Sequence, residues 1–160
     1  MMKRCRNCGS RTLVQSVQDR QLDSLPSVRV CGLKVSRCQE CGEEAVSIPR
    51  LEQLHRVVAH TLVKKPGLLS GPQVRYLRKW LGWAAQDLAR RFDLTPEHVS
   101  RIENGHLRIS VTADRLLRML VLTKDPVEKY SPEELLDTPV SEHPFDLTIR
   151  SSDHEWDAVA

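Results

Sequence analysis

The stretch Leu77-Arg78-Lys79-Trp80-Leu81-Gly82-Trp83-Ala84-Ala85-Gln86-Asp87-Leu88-Ala89-Arg90-Arg91-Phe92-Asp93-Leu94-Thr95-Pro96-Glu97-His98-Val99-Ser100-Arg101-Ile102-Glu103-Asn104-Gly105 decides how this chain is read. It divides into short helices separated by tight turns. Pro72 opens a first helix with Val74, Leu77 and Leu81 on one face, and Gly82 lets the chain turn. A second helix buries Ala85, Leu88, Ala89 and Phe92, and Asp93-Leu94 turns again. Thr95 is placed to cap a third helix, Pro96 suits its first position, and Glu97 suits its positive dipole end. Leu94 and Val99 flank the cap as a hydrophobic staple, and Asn104-Gly105 supplies a left-handed stop. Ala113, Leu116, Leu117 and Leu120 mark a fourth helix. Trp80, Trp83, Val99 and Ile102 read as core, and Glu103 as the partner of a nearby arginine.

Upstream, Leu51, Leu54, Val58 and Leu62 recur at helical spacing, with Pro49 suited to the first turn, and Lys64-Lys65-Pro66-Gly67 reads as a linker. The first 48 residues hold all five cysteines and short alternating runs, Thr12–Val17 and Val28-Arg29-Val30, that predict strands. Cys5-Arg6-Asn7-Cys8-Gly9 and Cys38-Gln39-Glu40-Cys41-Gly42 are two copies of C-x-x-C-G. Each copy lets one turn present two thiolates to a metal, with glycine allowing the backbone amides to fold toward the sulfurs. Cys5, Cys8, Cys38 and Cys41 together make the ligand set of one structural Zn2+, with a rubredoxin-type iron site as the alternative. Four thiolates leave no open coordination position, so the metal serves folding. Cys31 reads as a small strand residue rather than a redox group, and His55 and His60 as surface or packed histidines.

The net charge is +3, but residues 124–160 carry three basic residues against ten acids and stand at −7, which leaves residues 1–123 at +10. A basic body suits an anionic partner. The last segment contains four of the nine prolines, and its acid, Pro and Ser content predicts disorder in isolation. Phe145, Leu147, Ile149 and Trp156 leave room there for a short strand or docking motif. No apolar run approaches the roughly 18 residues of a membrane span, and the first residues lack the apolar segment of a secretory signal, so a cytoplasmic location is expected. No G-x-S-x-G, H-E-x-x-H or phosphate loop is present, so no enzyme is expected.

The 77–105 stretch, through "LGW…LARRF.LT…VSRIENG", resembles the Cro/Xre-type helix-turn-helix. With the two cysteine knuckles, residues 1–122 resemble the zinc-finger/helix-turn-helix antitoxins of the MqsA (YgiT-type) group and their regulator relatives. The resemblance implies that the helix opened by Thr95-Pro96 enters a DNA major groove N-terminus first. Arg101 is then the leading base contact, since a guanidinium can take guanine O6 and N7 together. Glu97 matches another base-reading position, where an amide is the more familiar residue. It either accepts from cytosine N4 or sits as a dipole-favoured neighbour of the cap. Ser100, Thr95 and His98 are candidate phosphate or base-edge groups, and Gln86, Arg90 and Arg78 candidate phosphate contacts. Ala85 stands where the resembled family commonly has a phosphate-holding Gln, so that contact is missing here.

The expected fold is α+β: a four-cysteine zinc module with short strands (1–48), a bridging helix and linker (49–70), an all-α helix-turn-helix domain (71–123), and an acidic C-terminal tail (124–160). The expected function is a homodimeric transcriptional repressor on double-stranded DNA carrying a palindromic operator. By resemblance it is the autoregulating antitoxin of a toxin-antitoxin pair, with a toxin bound through the zinc module. The alternatives are a stand-alone zinc-containing regulator, a rubredoxin-like redox module, and an adaptor whose zinc ribbon and helices dock RNA or protein.

Overall fold

The computed structural model of the protein describes residues 4–125, 132–137, 145–152 and 155–159, and its architecture is mixed α+β. Strand β1 (Leu13–Leu22) and strand β2 (Leu25–Cys38) form an antiparallel hairpin that turns at Asp23-Ser24. Four buried apolar residues in the middle of β2, Val28, Val30, Leu33 and Val35, break the simple two-residue alternation between Val30 and Leu33. Gly32, at φ 75°, supplies the break as a bulge, and the pairing register shifts between Gln18 and Arg20 at that level. The Gly32 N–H donates to Asp19 Oδ1 at 3.0 Å. The extra residue keeps all four side chains on one face. A short strand β3 (Glu44–Ser47) returns along the Lys34–Arg37 end of β2.

The C-terminal segment corrects the expectation of disorder. Strand β4 (Leu147–Ser151) runs parallel to β2, matching Val28 with Leu147 and Val30 with Ile149, and strand β5 (Trp156–Val159) pairs antiparallel with β4. The sheet order is β1-β2-β4-β5, with β3 beside β2. Leu147, Ile149 and Trp156 are buried, and the Trp156 indole donates to the Pro49 carbonyl at 2.8 Å. Composition alone missed this because an acidic segment with few apolar residues can still fill one sheet edge when those residues alternate. The prolines at 126, 139 and 144 lie outside the described residues.

Helix α1 (Leu51–Lys64) packs Leu54, Val58 and Leu62 toward the core and touches β5. It starts after Arg50, which adopts a left-handed conformation at φ 47°, so Pro49 lies just outside the helix rather than in its first turn. The helices α2 (Gly71–Trp80), α3 (Ala85–Arg91), α4 (Pro96–Glu103) and α5 (Val111–Lys124) follow, and they share one hydrophobic core with the sheet and α1. Leu117 is buried on α5, whereas its predicted neighbour Leu116 is exposed. A short helix α6 (Pro132–Asp137) lays Leu135 against α5. Among the described residues no helix is long and apolar enough to cross a membrane.

The segment read as a linker is a fixed corner. Arg118, 2 % exposed, donates to the carbonyls of Val63, Lys65 and Gly67 and faces the Asp114 carboxylate at 2.9 Å. Asp114 in turn accepts from the Leu69 N–H at 2.7 Å. Removing the guanidinium strands a buried carboxylate and the carbonyls together. Arg118→Met is therefore expected to cost about 3–5 kcal/mol in denaturant unfolding of the metal-loaded chain, and Asp114→Asn/Arg118→Met to recover part of it. A loss below about 1 kcal/mol would show that the corner holds without the ion pair.

Candidate metal centre and nucleic-acid interface

The β1–β2 hairpin brings the two cysteine knuckles together. The first knuckle precedes β1 and the second begins at Cys38, the last residue of β2, and the pairing of Leu13 with Cys38 closes the distance between them. The Gln39 N–H donates to the Thr12 carbonyl at 3.0 Å, tying the second knuckle to the start of β1. The knuckles repeat the same backbone bonds. Gly9 N–H donates to Cys5 O and Gly42 N–H to Cys38 O, both at 3.0 Å. Gly9 and Gly42 both sit at φ 74°, and a Cβ at either would meet nothing within 4 Å. The glycines are thus required for the left-handed turn itself, which is what lets the amides fold toward the sulfurs.

The four sulfurs of Cys5, Cys8, Cys38 and Cys41 lie within 4.8 Å of one another, with Cys5–Cys41 at 3.5 Å and Cys8–Cys38 at 3.6 Å. A tetrahedral zinc with bonds of about 2.3 Å needs sulfur–sulfur edges of about 3.8 Å, so the cluster fits a metal and is far too open for disulfides. The Cys8 amide, helped by that of Asn7, holds the Cys5 thiol down at about 7. The Cys41 amide lowers Cys38 against the opposing effect of burial. Thiolates are the form a metal takes, so the backbone prepares Cys5 and Cys38 as donors, whereas at Cys8 the Ser10 amide is outweighed by the neighbouring sulfurs and burial, and the thiol is pushed up. When bound, the ion supplies cross-linking of the two knuckles. Cys31 lies outside the cluster, a buried β2 residue beside Val30.

The second candidate site is built on α3 and α4. Thr95 Oγ1 accepts from the His98 N–H at 3.1 Å and caps α4. Between the helices Asp93 takes φ 53°, a conformation aspartate tolerates better than most residues. Val99, Ile102 and Glu103 face inward, and Glu97, His98, Ser100, Arg101 and Asn104 face outward. At about 100° per residue, Glu97 and Arg101 stand at the middle of that outward arc. Gln86 and Arg90 are exposed on α3, with Arg90 reaching Asp87 at 3.3 Å. The structure therefore places Thr95, Glu97, His98, Ser100, Arg101, Gln86 and Arg90 at the surface.

Arg78 is the exception, and the reading of it as a phosphate contact is corrected. It is buried, donates to both Glu103 carboxylate oxygens and to the Trp83 carbonyl at 2.6 Å, and so has each guanidinium nitrogen engaged inside the domain. Burial raises the Glu103 carboxyl, but hydrogen bonds from Arg78 and Arg75 outweigh it and hold the group below its usual range. Arg75, missed in the sequence, also donates to Asn104 Oδ1 at 2.7 Å and so fixes the end of α4. Gly71 completes the contact, since a Cβ there would collide with the backbone carbonyls of Ile102 and Glu103. The N-terminus of α2 thus lies directly on the C-terminus of α4.

Residues 74–123, which hold most of α2, all of α3 and α4, and most of α5, match the helix-turn-helix family model. No curated protein and no solved structure matches the chain.

Two outcomes follow from this geometry. The purified chain should hold one zinc per molecule, and Cys38→Ser or a strong chelator should remove it together with the β signal of the β1–β3 region in circular dichroism. Retention of that signal without metal would show the ion to be dispensable for folding. Glu103 is depressed in the folded state, so its stabilisation is full above the ordinary glutamate value of about 4.3 and is lost as pH falls through the lower folded value. Glu103→Gln should flatten that acid limb of the stability curve.

Proposed function

We propose that this protein is a sequence-specific DNA-binding transcriptional repressor, reading a palindromic operator as a homodimer with half-sites roughly 34 Å apart. The observation that carries this reading is the outward arc of α4, which sets Arg101 and Glu97 at its centre within a helix-turn-helix domain. Arg101 reads a guanine edge, and Ser100, His98, Gln86 and Arg90 hold the phosphate backbone and base edges around it. The metal is a structural zinc that shapes the N-terminal sheet.

A protein partner on that sheet is favoured by a separate observation. Strands β1 and β3 expose Val14, Val17 and Val46, and among the described residues their outer edges are unpaired. An open edge bordered by apolar side chains suits a partner's strand. The resemblance to the antitoxin group makes that partner a toxin, and the operon repressed the protein's own. A stand-alone regulator uses the same DNA-reading surface without that partner.

Selection from random duplex DNA should return an inverted repeat. Arg101→Ala should then cost about 1–3 kcal/mol of binding and relax one base position in each half-site. Weak, salt-sensitive binding with no sequence preference would sink the repressor reading and leave the helices a docking fold.

A further inference from the structure

Between α1 and α2, beside the β1–β2 turn, lies a cleft of about 320 Å³. Its lining residues are Ser24 from the turn, Glu52 and His55 from α1, and Tyr76, Lys79 and Trp80 from α2. The volume sits at the lower end of the range for small-molecule sites, about 300–1,000 Å³. None of these groups is needed for the metal cluster or lies on the outward face of α4.

The chemistry of the lining is specific. Tyr76 and Trp80 offer aromatic surface. Tyr76 is occupied with His55, its hydroxyl 2.6 Å from Nδ1, so that pair presents a satisfied, uncharged wall. Burial lowers the His55 pKa, which keeps the ring neutral near pH 7. The two remaining charges are of opposite sign. Glu52 and Lys79 are both exposed, and among the described residues neither forms an ion pair. The indole N–H of Trp80 is buried and has no acceptor. A cleft with an anionic head, a cationic head, aromatic walls and an unsatisfied donor is complementary to a ligand carrying the same features reversed.

We propose that this cleft is a binding site for a small zwitterion with an aromatic side group, of the class of free aromatic amino acids. Its ammonium faces Glu52, its carboxylate faces Lys79, and its ring lies against Trp80 and Tyr76. The site joins the sheet module to the helix-turn-helix domain, because α2 also carries Arg78, the residue that holds Glu103 of α4.

Titration calorimetry on the full, metal-loaded chain tests this with L-phenylalanine, 3-phenylpropionate (no ammonium) and phenethylamine (no carboxylate) as probes. The expected result is saturable binding of one L-phenylalanine per chain, with each single-headed probe at least tenfold weaker. Lys79→Met should weaken L-phenylalanine at least tenfold and leave phenethylamine unchanged; Glu52→Gln should weaken it similarly and leave 3-phenylpropionate unchanged. Both side chains are exposed, so neither variant threatens folding. Absence of saturable binding, equal binding of the single-headed probes, or indifference to both substitutions would each overturn the proposal. DNA binding enters none of these readouts, so the test stands apart from the repressor reading.

Discussion

The guanidinium of Arg118 sits shut away from water at the point where α1 ends, α5 passes and the chain turns into α2. Its donors satisfy three backbone carbonyls that no helix or strand could serve, and Asp114 neutralises its charge while capturing the Leu69 amide. A buried ion pair contributes little as a pair, because desolvation consumes the Coulomb attraction. Its effect here is geometric: it converts a Lys-Lys-Pro-Gly breaker into a rigid bend and so fixes where the sheet module stands against the helical domain. The corner fixes α1 against α2, and through α2 the seating of α4.

The same logic recurs one layer out. Arg78 and Arg75 converge on Glu103, and Gly71 lets the backbones of α2 and α4 touch. The helix that carries Arg101 is therefore held at its C-terminal end by ions and carbonyl contacts, and at its N-terminal end by the Thr95 cap. The outward side chains of Glu97, His98 and Arg101 are left free of that work. Pre-arranging a reading helix in this way reduces what must be ordered when it meets a ligand.

Much of this was legible in the residues. The two C-x-x-C-G knuckles declared four sulfurs for one metal, and Thr95-Pro96 with Asn104-Gly105 bounded α4, because caps and turns are written locally. What stayed hidden depends on residues far apart in the chain. Arg78 looks like any basic residue on a helix until Glu103, 25 positions away, is seen facing it. Arg118 gave a fainter local sign, an Asp–Arg pair one turn apart within an otherwise apolar helix face. The C-terminal strands were the largest omission, since Leu147, Ile149 and Trp156 acquire meaning only beside the open edge of β2. Gly32 also carried a readable signal: a glycine where the apolar spacing slips by one residue marks a bulge.

The parallel placement of β4 beside β2 has a consequence for how the molecule is made. Val28 meets Leu147, so the sheet joins segments from nearly opposite ends of the chain. At about 5–20 residues per second, on the order of ten seconds separate the emergence of β2 from that of its partner during synthesis. For that interval the hairpin must persist with one edge bare, anchored by whatever its two cysteine knuckles have already captured. A metal held by the two knuckles would act first as a placeholder in time, keeping a half-built sheet in register until the ribosome delivers the strand that completes it.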